Sequence, residues 1–314
     1  MSSEPVIKVR DLVKRYGGGV TIGPISIETM RGEILGLVGP NGSGKTTTIR
    51  CLVGLQRPSE GEVRVAGLDP LRDRKRLMRL VGYSQELPTF PPFQSGRDII
   101  EITGRLRGLD GPELRKEVER VLDLSGLVGH ADRKVGSYSK GMVQRLSLAQ
   151  ALIGDPEILI LDEPMLGVDP AARIHIREIF LELKKAKKTI LFSTHELYEV
   201  EKISDSVAMI YKGKIIVQDS VKNLLGGVGD TIRVEAELQR PQLVPLEQIR
   251  LLQGVARVEL DGTRLVVEFA GGTDGRAELA ELIVRSGAGL LGMTPLNKTL
   301  EDVFMEMVRI GSRG

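Results

Sequence analysis

Residues 39–47 read GPNGSGKTT, three glycines within six positions followed at once by Lys45 and two threonines. A run of this kind cannot sit inside a regular strand or helix, because its glycines serve a backbone that turns through conformations closed to other residues. The apolar EILGLV before it (33–38) predicts a buried strand, and TTTIRCLVGL (46–55) predicts a helix. The local order is therefore strand, loop, helix. In that setting the spacing G-x-x-x-x-G-K-[ST] forms a phosphate cradle: backbone N–H groups curl round the anion, and the new helix adds its positive dipole end. The cradle takes in Gly39, Asn41, Gly42, Ser43, Gly44, Lys45, Thr46 and Thr47. Lys45 then reaches the β- and γ-phosphates of a nucleotide, and the Thr46 hydroxyl holds Mg²⁺.

At 314 residues the chain has room for one large domain and a smaller one, and 41% hydrophobic residues supports real cores. The formal charge of +2 gives no reason to expect nucleic acid as a partner. The basic stretches LRDRKRLMR (71–79) and KKAKK (184–188) lack interleaved aromatics and read as solvated helical surface. Cys51 is the only cysteine, so no internal disulfide forms; with no leader-like opening run, a reducing cytoplasm is expected. Every apolar run is broken by charge or glycine well short of a membrane span, so spans must come from another chain.

Strands and helices alternate up to about residue 225, opening with antiparallel-looking strands at VIKVR (6–10) and TIGPISIETM (21–30). Buried strands follow at LVGYS (80–84), EILILD (157–162), TILFST (189–194) and SVAMIY (206–211). Between about 88 and 137 the spacing is helical, which predicts an insertion into the α/β core. LLGGVGD (224–230) reads as a linker. Beyond it, TIRVEAEL, VARVEL and RLVVEF alternate like half-exposed strands, the last two joined through Asp261 and Gly262. With helices at PLEQIRLL, GRAELAELIVR and TLEDVFMEMV, residues 230–314 are expected to form a small α+β domain of ferredoxin-like order.

Further motifs, in order along residues 5 to about 220, resemble those of the ATPase subunits of ATP-binding cassette (ABC) transporters. The resemblance implies a P-loop NTPase of ABC type over residues 1–225, α/β with a β-rich edge and a helical subdomain, followed by the α+β domain. ILILDEP (158–164) is similar to the strand whose closing acids, Asp162 and Glu163, hold Mg²⁺ and polarise the attacking water. Tyr16 matches the aromatic residue that stacks on adenine. Gln85 resembles the glutamine that contacts Mg²⁺ and the water, and His195 the histidine that contacts the γ-phosphate. GVDP (167–170) is similar to the loop in which Asp169 couples two active sites. His130 and His175 have no such counterpart and are expected at the surface.

YSKGMVQRLSLAQAL (138–152) resembles the Leu-Ser-Gly-Gly-Gln signature, retaining Ser139 and Gly141 and replacing its first glycine by Lys140. The resemblance implies a dimer in which each ATP lies between one chain's phosphate loop and the other's Ser139 segment. It further implies Mg²⁺-dependent hydrolysis that drives a separate permease at the inner face of the cell membrane. Ser-Lys-Gly signatures and the ending LEDVFMEMV resemble the exporter branch. Two other readings stand beside it: a soluble cassette that remodels a nucleoprotein or protein complex, and a regulatory module that hydrolyses ATP weakly. LPTFPPF (87–93) is expected to place Phe90 and Phe93 in a groove that receives a permease helix.

Overall fold

The structure, a computed structural model, describes residues 4–226, 232–270, 273–296 and 299–311. The chain divides into two compact units, one running to Val221 and resuming at Met307, the other spanning Lys222–Glu306. The proposed linker keeps Leu224 and Leu225 in a short helix, and its residues 227–230 lie outside the described residues.

In chain order the first unit holds β1 (Ile7–Arg15), β2 (Thr21–Thr29), β3 (Ile34–Val38), α1 (Lys45–Leu52), β4 (Glu60–Val65), α2 (Arg74–Leu80) and β5 (Val81–Ser84). Next come α3 (Gly96–Leu106), α4 (Gly111–Leu124), α5 (Lys140–Leu152), β6 (Ile158–Leu161) and α6 (Pro170–Lys185). It continues with β7 (Thr189–Thr194), α7 (Leu197–Ile203), β8 (Ser206–Tyr211), β9 (Lys214–Ser220) and α8, Val221–Leu225, which crosses into the second unit. Two sheets result. β2-β1-β4 is antiparallel, the expected β-rich edge, and β5-β6-β7-β3-β8-β9 is parallel except for its last pair. Every residue of β3, β6 and β7 is buried, as fits strands covered on both faces. The core between the sheets gathers Leu12, Ile25, Leu37, Ile49 and Ile160. Cys51 belongs to that core, and burial first, opposed weakly by Lys14, pushes its thiol up to about 11, so it is a packing residue.

Helices α3 and α4 form the expected insertion. Ser95 and Asp98 close a capping box at the start of α3, while Asp110 caps α4 and Pro112 sits in its first turn. The second unit runs β10 (Ile232–Leu238), α9 (Leu246–Arg250), β11 (Val255–Asp261), β12 (Arg264–Phe269), α10 (Arg276–Arg285) and β13 (Leu290–Leu296), followed by α11 (Leu300–Gly311). The order β-α-β-β-α-β with an antiparallel sheet β11-β12-β10-β13 is the ferredoxin-like connectivity. Val234, Ala236, Leu265 and Val267 pack with Ile249 of α9 and Leu279 and Ile283 of α10. The β11–β12 turn differs from expectation by one residue. Asp261 pairs with Arg264, so Gly262 and Thr263 form the loop, with Gly262 at φ +56° taking the strained first position.

Candidate functional site

Four neighbouring parallel strands lead to one rim. β5 ends at Ser84, β6 at Leu161, β7 at Thr194 and β3 at Val38; the registers align Ser84 with Leu161, Leu161 with Phe192, and Val38 with Thr194. Gln85, the pair Asp162 and Glu163, His195 and the glycine loop therefore leave the sheet side by side. The carboxyl ends of parallel strands are where α/β folds bind ligands.

The loop is shaped by two kinds of glycine. Gly42 and Gly44 adopt φ of +78° and +113°, whereas Gly39 is fixed by packing, since a Cβ there would stand 2.1 Å from the Ile210 carbonyl oxygen. The Ser43 hydroxyl is buried without a partner among the described residues, the kind of group that a phosphate oxygen satisfies. Lys45 Nζ donates to the Gly39 carbonyl at 2.7 Å and meets Glu163 Oε1 at 3.2 Å, each side chain only 6% exposed. Glu163 in turn has Oε2 at 3.0 Å from His195 Nδ1. Its backbone stands at φ +45°, an outlier for a glutamate, held by the Ser193 hydroxyl, which accepts from Glu163 N at 2.9 Å, and by Gln144, which donates to its carbonyl at 3.2 Å.

Asp162 is 1% exposed and accepts hydrogen bonds from Ser193 Oγ at 2.6 Å and Thr46 Oγ1 at 3.3 Å. Burial holds its carboxyl above the usual carboxylate range, against the pull of the Ser193 and Thr46 hydrogen bonds. Because the folded value is raised, ionised Asp162 costs the fold stability at neutral pH, and this cost fades as pH falls through the raised value. Asp162→Asn is accordingly expected to raise the nucleotide-free melting temperature by about 2–4 °C at pH 7 and by less in acid. Calorimetry across pH checks this, and a fall at pH 7 means that the lost hydrogen bonds outweigh the relieved charge.

Other site residues stand as follows. The Tyr16 hydroxyl lies 2.8 Å from Thr47 Oγ1 and accepts from Gln56 Nε2 at 2.8 Å, which fixes the ring beside the start of α1. Gln85 is exposed and donates to the Leu87 carbonyl at 3.2 Å, so no hydrogen bond joins it to Asp162 or Thr46. Ser139 caps α5 by accepting from Met142 N, and Asp169 caps α6 by accepting from Ala172 N. A Cβ on Gly141 would lie 3.6 Å from both Asp169 Oδ2 and Val168, so the signature and the 167–170 loop lie against each other. Lys140 lies across Gly167, where an added Cβ would meet its ammonium and methylene groups within 3.0 Å. His175 is not a plain surface residue: its Nε2 is buried without a partner among the described residues, and the ring packs near Gly126. Ser193, Arg173 and Glu196 escape a reading by motif; the one signal for Ser193 is a hydroxyl at the buried end of β7, next to Thr194.

A groove of about 600 Å³ runs beside Gln85, lined by Tyr83, Phe90, Ile102, Leu106 and Gln150. Phe93 does not line it and is 71% exposed, which corrects the expectation that both phenylalanines face one groove. A larger cavity, about 950 Å³, lies by the amino-terminal ends of β3 and β8 and holds none of the site residues.

A family model described as ABC transporter matches residues 22–166. The bacitracin transport ATP-binding protein BcrA of Bacillus licheniformis is 32% identical, over 98% of this chain and 99% of its own length. The Nod factor export ATP-binding protein I of Cupriavidus metallidurans is 34% identical, over 96% of this chain and 97% of its own. A solved ATP-binding subunit of an ABC transporter superposes with a TM-score of 0.64 at 27% identity, covering 70% of this chain and 91% of that one. With likeness that runs nearly end to end and a phosphate loop facing a buried acid pair, the chain belongs to the ATP-binding subunits of ABC transporters and is an ATPase of that family.

Proposed function

We propose that the chain works as a dimer closed by two ATP molecules and drives a separate membrane permease in the export direction. The observation that carries this is the line Lys45, Glu163, His195, in which one buried carboxylate bridges the phosphate-loop lysine and the strand-end histidine. ATP phosphates replace the loop carbonyls around Lys45, and His195 turns to the terminal phosphate. Glu163 is then released to accept a hydrogen bond from the attacking water, with catalysis by positioning and charge rather than by a covalent enzyme intermediate. Thr46 and Asp162 fit Mg²⁺, since both offer oxygen and the buried carboxyl gains most from a dication. Bound there, Mg²⁺ supplies charge neutralisation on the phosphate oxygens. Tyr16 would take the adenine ring, and Gln85 would swing from Leu87 toward the nucleotide.

Ser139 and Asp169 are exposed on either side of the buried Gly141, with no hydrogen bond to Lys45, Thr46 or Glu163 among the described residues. That supports their serving the nucleotide of a second copy. The export direction is supported by the relatives named for bacitracin transport and Nod factor export. No helix among the described residues is long and apolar enough to cross a membrane. In this reading the spans belong to the permease, which this chain meets at the inner face of the membrane.

In this reading the groove at Phe90 receives a short permease helix beside Gln85. Phe90→Ser is expected to cut recovery of the permease in co-purification by about tenfold or more, the share a central aromatic anchor carries. The ATP-driven dimer should persist, as read by light scattering. Equal recovery of permease with the variant and the wild type places the partner elsewhere.

A further inference from the structure

Two Arg–Glu rungs join α6 to the segment that follows β7. Arg173 pairs with Glu196, and Arg177 with Glu199. Arg173 and Arg177 are one turn apart on α6, and Glu196 and Glu199 lie three residues apart where α7 begins, so both pairs cross the same gap. The rungs differ in what else they hold. Arg173 Nε also donates to the Val168 carbonyl at 3.2 Å, and Glu196 N donates to Thr194 Oγ1 at 3.0 Å. One guanidinium thus grips the backbone just before Asp169 and the carboxylate just after His195. Arg177 and Glu199 touch neither loop; their 2.9 Å contact is poorly aligned for a hydrogen bond, and Arg177 lies over the Tyr198 ring.

The Arg173 and Glu196 side chains are 27% and 29% exposed, so the pair is shielded from much of the solvent that weakens surface ion pairs. Arginine suits the task because its planar fork binds two acceptors at once, which a lysine cannot do with the same geometry. A continuous path results: Glu163, His195, Glu196, Arg173, Val168, Asp169.

We propose that Arg173, acting through Glu196, is a positioning residue that couples the His195 loop to the Asp169 loop, so that phosphate contact at one site sets how Asp169 faces the other. This rests on the ATP-closed dimer proposed above. The second rung serves only to staple α6 to α7. Losing Arg173 leaves Glu196 free to turn to water, so the loops lose their mutual register while the buried core stays intact.

The test uses the full chain as wild type, Arg173→Ala, Glu196→Ala, the double variant, Arg173→Lys and Arg177→Ala. ATP hydrolysis is followed against ATP concentration, with nucleotide affinity and melting temperature measured beside it. Arg173→Ala and Glu196→Ala should each lower kcat by about 10- to 100-fold with nucleotide affinity within about twofold, and cooperativity in ATP should fall. The double variant should lose no more than the weaker single, because both remove one link. Arg173→Lys should recover only part of the loss, and Arg177→Ala should shift the melting temperature with kcat within about twofold. Near-normal kcat in either single alanine variant, additive losses in the double, or an equal loss in Arg177→Ala overturns the inference. If Glu163→Gln protein forms no ATP-dependent dimer, the proposed function fails and this inference with it; if the dimer forms and Arg173→Ala turns over normally, only this inference fails.

Discussion

Glu163→Gln protein is expected to bind ATP and hydrolyse it about 10²–10⁴-fold more slowly than the wild type, the range that a lost general base commands. The substitution is nearly isosteric, and the backbone at φ +45° is held by Ser193 and Gln144 rather than by the carboxylate, so the loop should keep its course. Lys45 retains its bonds to the Gly39 and Pro40 carbonyls until phosphate replaces them. With binding preserved and hydrolysis stalled, ATP should trap the closed dimer, visible by light scattering. Lys45→Ala differs in kind. It removes the cation from beside a glutamate only 6% exposed, so both nucleotide affinity and stability should fall. Near-normal phosphate release by purified Glu163→Gln protein, free of contaminating ATPase, would remove Glu163 from the catalytic role.

Gly141→Asp, in the Glu163→Gln background, is expected to abolish ATP-driven dimerisation while nucleotide affinity of the single chain stays within about twofold. The carboxylate would face the partner's terminal phosphate, where like charges repel across a desolvated interface. The structure adds a necessary control, because a side chain at Gly141 also approaches Asp169 Oδ2 of its own chain. Gly141→Ala supplies it: at 3.6 Å from both Asp169 and Val168 the new methyl makes ordinary contact, so the isolated fold accepts it. A dimer that forms normally with Gly141→Asp means that this face does not meet nucleotide across the interface. Equal damage to the melting temperature by both variants would instead point to local packing.

Much of the site is legible in the sequence because its determinants are short-range. The glycines that permit φ of +78° at Gly42 and +113° at Gly44 are fixed by residue type alone, as is the turn from apolar strand to helix. The same holds for Ser139 and Asp169, whose cap positions follow from a hydroxyl or carboxylate just before a helical run. Ferredoxin-like order in the second unit followed from counting alternating and helical stretches, although β13 was not foreseen. Its Leu-Leu-Gly-Met-Thr-Pro-Leu run carries both Gly292 and Pro295, residues that weaken a strand signal. The turn at Gly262 and Thr263 shifted by a residue because register across β11 and β12 is set by which side chains enter the core.

The sequence by itself determined that a glycine-rich loop joins a buried strand to a helix, which residues build it, and in what order the remaining motifs follow. Tertiary structure alone decided that they meet. Ser84, Leu161 and Thr194 close three strands that are far apart in the chain, and only the order β5-β6-β7-β3 sets Gln85, Asp162, Glu163 and His195 beside the loop. It also decided that Phe93 lies outside the groove that Phe90 lines, and that Arg173 reaches Glu196 and Val168 together. The physical reason is one of range. Backbone preference and helix capping depend on a few neighbouring residues, whereas strand order and ion pairing across elements depend on which faces the whole core must bury.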